Sequence, residues 1–400
     1  MPEEYQSQAN ESVISTIFSV VYRHLDRAPE SKLHRAPTET HLPGLSPEER
    51  AALPYPPDLI QGARDIQNPY GCFRMYEWGP VKAKRKVVLI HGISGACPAL
   101  LGCAERLVQD GCRVMMIELF GRGWSGGPAD LPYDGRLYCS QLFMALASSD
   151  ISWTGEDAGI FTIVGYSLGG CIAVEFASWF PTLVEDLVLI APAGLIRPTD
   201  PKTWLMYTDY LPERLTTQVV ARRLRSGTHG AVRKSMSEQK NKPPEVEVAA
   251  AMPEKIPAIN VKKINSEALM QWQMKHNAGF LTAFIGSVRD SPTRCQHELW
   301  QLLGHRINAL RLARASSDES DISKAQQHSL ASGKVLLCVG GRDPLIKPAE
   351  LVPDAEAAIG SDNLEVKTFA GAGHEVGMSR GVEIAETALD FWSRNSFASP

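Results

Sequence analysis

Three side chains far apart in the chain have the types that acyl transfer needs: a hydroxyl, an imidazole and a carboxylate. Ser167 stands in Gly165-Tyr166-Ser167-Leu168-Gly169. An apolar run precedes it (161–164) and reads as a buried strand; a small-residue apolar run follows (170–177) and reads as a helix. A G-x-S-x-G between strand and helix is a nucleophile elbow. Small flanking residues permit the tight turn, and the serine is held at the positive end of the helix that follows. A serine hydroxyl attacks poorly until a base takes its proton, and the base needs an acid to orient it. Asp343 lies in Gly340-Gly341-Arg342-Asp343-Pro344, just past the apolar run 335–339. His374 lies in Gly371-Ala372-Gly373-His374, after the alternating run 364–369. The order Ser, Asp, His is the one that goes with this type of elbow. All three residues fall at carboxyl ends of predicted strands, the edge where open α/β sheets place their sites.

The same chemistry needs backbone donors for a developing oxyanion, each worth roughly 3–4 kcal/mol in the transition state. The N–H of Leu168, next to the nucleophile, is one candidate. The N–H of Ile93 is the other, in the loop His91-Gly92-Ile93-Ser94-Gly95 that follows the strand predicted at 87–90. His91 is read as a structural hydrogen-bonding residue that shapes this loop. No step requires a metal or an organic cofactor. His297 with His305, and His34 with His41, lack the i, i+4 spacing of a helical metal pair. Gly121-Arg122-Gly123-Trp124-Ser125-Gly126 is glycine-rich but is not the G-x-G-x-x-G of a dinucleotide site.

The elements that must position these residues alternate regularly. A hairpin is expected from 63–66 and 73–78, with its turn at Asn68-Pro69-Tyr70-Gly71. Strand 87–91, a helix near 98–109, strand 113–118, a helix near 136–148, the elbow, and strand 187–192 follow. This β-α-β alternation predicts a doubly wound, mostly parallel α/β sheet.

Four blocks in order carry a family resemblance: His91-Gly92, the run from Glu118 to Ser125, the Ser167 elbow, and the Asp343 and His374 loops. The chain resembles the α/β-hydrolase superfamily, in its lipase/esterase and C–C-bond hydrolase branch. Glu118 stands where the family's D-x-x-G-x-G-x-S turn usually has Asp. The resemblance covers about 60–195 and 334–395. It implies an eight-stranded α/β-hydrolase sheet and cleavage of an ester, thioester, amide or activated carbon–carbon bond. A hydrophobic small-molecule substrate cleaved through an acyl-enzyme on Ser167 is the expected function. Alternatives are a thioesterase releasing a polyketide chain, a C–C hydrolase, an aminopeptidase using Glu213 or Glu267 to hold the substrate amine, or a non-catalytic small-molecule receptor on a hydrolase scaffold. Ser rather than Asp at position 167 argues against a dehalogenase or epoxide hydrolase.

The expected division is an N-terminal helix and Pro-rich extension (1–59), the first part of the core (60–195), an inserted helical cap with its linker (196–333), and the second part of the core (334–400). Residues 28–60, with seven prolines, read as a linker on the surface. In the cap, Trp272, His276, Phe280 and Phe284 recur every four residues and read as the stripe of one helix. Trp272, His276 and Phe280 are the candidates for lining an apolar substrate pocket.

Composition bounds the partners. Net charge is −4 over 400 residues, which gives no preference for nucleic acid or acidic membranes. The eight cysteines show no paired spacing and read as reduced thiols, favouring the cytoplasm. No apolar run reaches the roughly 18–20 residues of a membrane span. Ile14, Phe18, Val21 and Leu25 share one helical face, read as a docking helix, with peripheral membrane contact through Arg23 and Arg27 as the alternative. No motif speaks to oligomeric state.

Overall fold

Strand residues alternate between two apolar layers, so both faces of the sheet are covered. The computed structural model describes residues 32–155, 160–197, 213–225, 265–316, 320, 322 and 330–395. The expected docking helix that carries Ile14, Phe18, Val21 and Leu25 lies outside these residues. In chain order, the first half contains β1 (Leu33–His34), β2 (Ala63–Asn68), β3 (Gly71–Trp78), β4 (Lys86–Ile90), α1 (Leu101–Gln109), β5 (Arg113–Ile117), β6 (Gly127–Pro128), α2 (Gly135–Ala147), β7 (Phe161–Tyr166), α3 (Leu168–Trp179) and β8 (Val184–Ile190). Then come α4 (Glu213–Arg225), α5 (Ser266–His276), α6 (Phe280–Asp290) and α7 (His297–Ser316). The chain closes with β9 (Val335–Gly340), α8 (Pro348–Ile359), β10 (Leu364–Phe369) and α9 (Gly381–Asn395).

The main sheet has eight strands in the order β10-β9-β8-β7-β4-β5-β3-β2. Only β3 runs against its neighbours, β2 and β5; every other pairing is parallel. This is the expected α/β-hydrolase fold. Val88 and Ile90 of β4 join the layer of α2, α3, α7 and α8, whereas Val87 and Leu89 join the layer of α1 and α9. Phe161, Ile163 and Val164 of β7 are buried completely or nearly so. Each such side chain contributes roughly 1.5–3 kcal/mol, which fixes the strand that carries the elbow. All eight cysteines are free thiols; seven are buried, and Cys295, between α6 and α7, is exposed.

Three expectations are corrected. The stretch read as a surface linker is partly built in: Ala36, Tyr55 and Ile60 are buried. Pro37, Pro43 and Pro47 occupy first turns of short helices, where a missing N–H costs nothing. The stripe at 272–284 belongs to two helices, α5 and α6, because Asn277 leaves the helical region and spends its amide on Gly123 O (3.1 Å) and Ser125 O (2.9 Å). Finally, α7 falls inside the expected cap but flanks the sheet. Trp300, Leu303 and Ile307 pack in the layer of α3 and α8, and Gly304 lets α7 approach the backbone of Ile359.

Candidate active site

Ser167 links β7 to α3 in a strained conformation, φ 54° and ψ −115°, that a residue with a side chain rarely adopts. Main-chain bonds hold it there. Its N–H donates to Ile190 O at 2.9 Å, and its carbonyl accepts from Gly170 and Ala193, also at 2.9 Å. The flanking glycines are steric requirements: a Cβ on Gly169 would lie 2.1 Å from Ile90 O, and one on Gly165 would lie 2.4 Å from Gly169 O.

The loops after β9 and β10 bring the other two residues to the same sheet edge. Ser167 Oγ lies 3.0 Å from His374 Nε2, and His374 Nδ1 lies 2.7 Å from Asp343 Oδ2. The carboxylate accepts, so Nδ1 carries the hydrogen and Nε2 offers its lone pair to the serine hydroxyl. Asp343 is fixed in turn, because its Oδ1 accepts from the N–H groups of Leu345 (2.8 Å) and Ile346 (2.9 Å). The aspartate side chain is fully buried and the histidine side chain is 22% exposed, which leaves the imidazole reachable from solvent. The Tyr166 hydroxyl donates to His374 O at 2.6 Å, so the elbow also anchors the histidine loop.

The β4 loop closes against the serine: a Cβ on Gly92 would stand 3.1 Å from Ser167 Cβ. His91 is buried, donates from Nδ1 to Gly92 O (2.8 Å), and accepts at Nε2 from the Leu119 N–H (3.1 Å). Burial lowers its pKa to about 3, so the ring stays neutral and keeps both bonds. In a trans peptide the carbonyl and N–H point in opposite directions, so holding Gly92 O aims the Ile93 N–H away from His91. Leu168 opens α3, and its N–H has no carbonyl a turn earlier. The ligand atoms of His91, Cys97 and Glu118 lie within 4.8 Å of one another. With both imidazole nitrogens engaged, His91 has no lone pair left for an ion. Glu118 spends its oxygens on the N–H groups of Cys97 and Trp124 and on the Tyr55 hydroxyl. Burial pushes its pKa up to about 7.

Trp272 and His276 meet other rings on the inserted side. Trp272 lies 4.7 Å from Trp124, and His276 stacks on His41 at 3.8 Å. Phe280 is buried on the next helix beside Phe284. None of these ring contacts reaches Ser167 or His374. Glu267 is exposed, and the side chain of Glu213 lies outside the described residues. Sequence reasoning missed Tyr166, Arg122 and Gln273. Tyr166 is the variable position of its motif, Arg122 looked like part of a glycine turn, and Gln273 is merely the neighbour of Trp272.

An eight-stranded sheet with a strained serine between β7 and α3, facing histidine and aspartate loops, defines a class. Residues 86–380 match the alpha/beta hydrolase fold family, and the chain belongs to it. A protein of Mycobacterium tuberculosis is 34% identical over 126 residues, 31% of this chain and 33% of that one. A serine hydrolase-like protein of Mus musculus is 29% identical over 30% of this chain and 37% of its own length. A monoacylglycerol lipase of Xenopus laevis is 28% identical, over 30% and 34%. The matches thus span about a third of each of these relatives. Among solved structures, a membrane phospholipase A aligns at TM-score 0.54 and 16% identity, covering 98% of this chain and all of that one. A carboxylesterase of Nitrososphaera gargenis aligns at 0.52 and 18%, covering 83% and 98%. At these identities the structural likeness concerns the fold. Among the described residues no helix is long and apolar enough to cross a membrane.

Proposed function

We propose that the protein is a serine hydrolase that cleaves an ester or related acyl bond of a hydrophobic small molecule through an acyl-enzyme on Ser167. One observation carries this reading: the unbroken hydrogen-bond chain Ser167 Oγ–His374 Nε2 (3.0 Å) and His374 Nδ1–Asp343 Oδ2 (2.7 Å). In this mechanism His374 takes the hydroxyl proton as Ser167 Oγ attacks the carbonyl carbon. Asp343 holds the imidazole in its tautomer and stabilises the cation that forms. The N–H groups of Ile93 and Leu168 receive the oxyanion. The leaving group departs with the proton from His374, and water then repeats the sequence on the acyl-enzyme. The inserted helices act as a cap, and Trp272, His276 and Phe280 contribute to the apolar wall on the substrate side. The lipase among the relatives supports an acyl-ester substrate of apolar character.

The test is a fluorophosphonate probe on folded protein, followed by peptide mapping. An adduct on Ser167, with turnover of p-nitrophenyl esters graded by acyl length, is expected. Absence of any adduct on Ser167 favours the receptor alternative, and preference for aminoacyl anilides over esters would replace esterase with peptidase.

A further inference from the structure

Three consecutive carbonyls of the β4 loop are each held by a different side chain. Gly92 O accepts from His91 Nδ1 (2.8 Å), Ile93 O from Arg122 Nε (3.2 Å), and Ser94 O from Gln273 Nε2 (3.2 Å). The first holder belongs to the core. The other two answer to the inserted helices.

Arg122 is completely buried. A guanidinium has five N–H groups, and all five find neutral acceptors here. Nε takes Ile93 O. Nη1 takes Phe120 O and the Tyr138 hydroxyl, both at 2.8 Å. Nη2 takes Ala283 O (2.9 Å) and Ser287 Oγ (2.7 Å), both on α6. Burying a charge is costly, and a carboxylate is the usual compensation. What this guanidinium offers instead is shape: its planar fork reaches the β4 loop, the turn after β5 and α6 at once.

Gln273, on α5, is also completely buried. Its Oε1 accepts from the Gly123 N–H at 2.7 Å while its Nε2 holds Ser94 O. It therefore ties α5 to both the turn that carries Arg122 and the loop that carries Ile93. Without α5 and α6, Ser94 O loses its donor, and Arg122 loses two of its five acceptors.

We propose that Arg122 and Gln273 are positioning residues that make the placement of the loop carrying the Ile93 N–H conditional on the docking of α5 and α6. The donor loop is complete only when both helices are seated. Cap closure and oxyanion stabilisation are then one event, and a substrate that props the cap open disarms its own hydrolysis. The proposal rests on the serine-hydrolase reading above.

The test uses Gln273→Met, which keeps length and volume but removes both hydrogen bonds, and Ser287→Ala, which frees Arg122 from one α6 acceptor. Active sites are counted by fluorophosphonate titration, so that kcat is expressed per labelled serine. Failure of the wild-type protein to label on Ser167 would sink the serine-hydrolase reading itself. Given labelling, Gln273→Met is expected to lower kcat per site by about tenfold or more, with KM within about twofold. Phosphonylation should slow in parallel, since it draws on the same donors. Ser287→Ala should lose less, and the double variant should lose less than the product of the two, because both loosen one loop. Arg122→Lys, which keeps the charge without the fork, should resemble Gln273→Met; should it not fold, the other two variants decide. If Gln273→Met and Ser287→Ala lower only the melting temperature and leave kcat per titrated site unchanged, the two residues merely pack, and the proposal is overturned.

Discussion

The loops that present Ser167, Asp343 and His374 and the helices α5 and α6 lie in one molecule but are held by different means. Main-chain bonds secure the first region: Ser167 N–H to Ile190 O, Gly170 and Ala193 N–H to Ser167 O, Gly341 N–H to Phe369 O, and Arg342 N–H to Ala372 O. Glycines at 165 and 169 allow the close approach on which these bonds depend. Side chains secure the second region: Gln273 on Gly123, Asn277 on Gly123 and Ser125, His34 Nε2 on Thr282 Oγ1, and His276 stacked on His41. Backbone-held loops keep their shape through many substitutions, whereas side-chain fastenings change with each one. The proposed chemistry therefore sits on the backbone-held part of the architecture, and the proposed substrate wall on the part held by side chains.

The contrast can be broken at four points. Ser167→Ala should lower turnover of an ester substrate by on the order of 10⁶-fold and leave the melting temperature nearly unchanged. The main-chain bonds around the elbow do not use the hydroxyl. Retained turnover in pure protein would show that another nucleophile operates. Asp343→Asn should cost about 10⁴-fold in kcat, since an amide at this position disturbs the tautomer that presents Nε2 to Ser167. A loss no larger than tenfold would show that the Leu345 and Ile346 N–H groups, not His374, are what the carboxylate serves. Tyr166→Phe removes one hydrogen bond to His374 O and should lower kcat about tenfold; an unchanged kcat would show that the histidine loop holds itself.

The fourth and smallest effect concerns the inserted side. The pKa of both His41 and His276 is lowered, in each case chiefly by burial, with Lys275 adding to it and Glu49 opposing it at His41. The folded state binds fewer protons than the unfolded one, so this stacked pair contributes stability above pH about 6.5 that is lost as pH falls through the lowered values. His41→Phe keeps the stacked ring without the charge. Its melting temperature should exceed that of the wild type in acid and match it at alkaline pH. Equal acid sensitivity would place the titration elsewhere.

This division also explains what could be read from the sequence. Strand alternation, the glycine spacing around Ser167, and the positions of Asp343 and His374 after apolar runs are local patterns, and they carried the sheet and the candidate site. Glu118 was legible because it begins a recognisable turn. The break between α5 and α6 was not, because residue spacing alone carries Trp272, His276 and Phe280 across Asn277. What breaks the helix is a pair of acceptors more than 150 residues earlier. For the same reason α7 was assigned to the insertion, since its partner Ile359 comes later in the chain. Tyr55 was hidden among prolines that suggested a linker; its burial and its hydroxyl bond to Glu118 show that the segment is anchored.

Among eight thiols, Cys295 alone faces solvent, at the junction between an inserted helix and a sheet-flanking one. The native protein therefore accepts a maleimide dye or a nitroxide at a single address without any engineered cysteine. Fluorescence or electron paramagnetic resonance from that address would report in real time whether the junction moves while substrate is added.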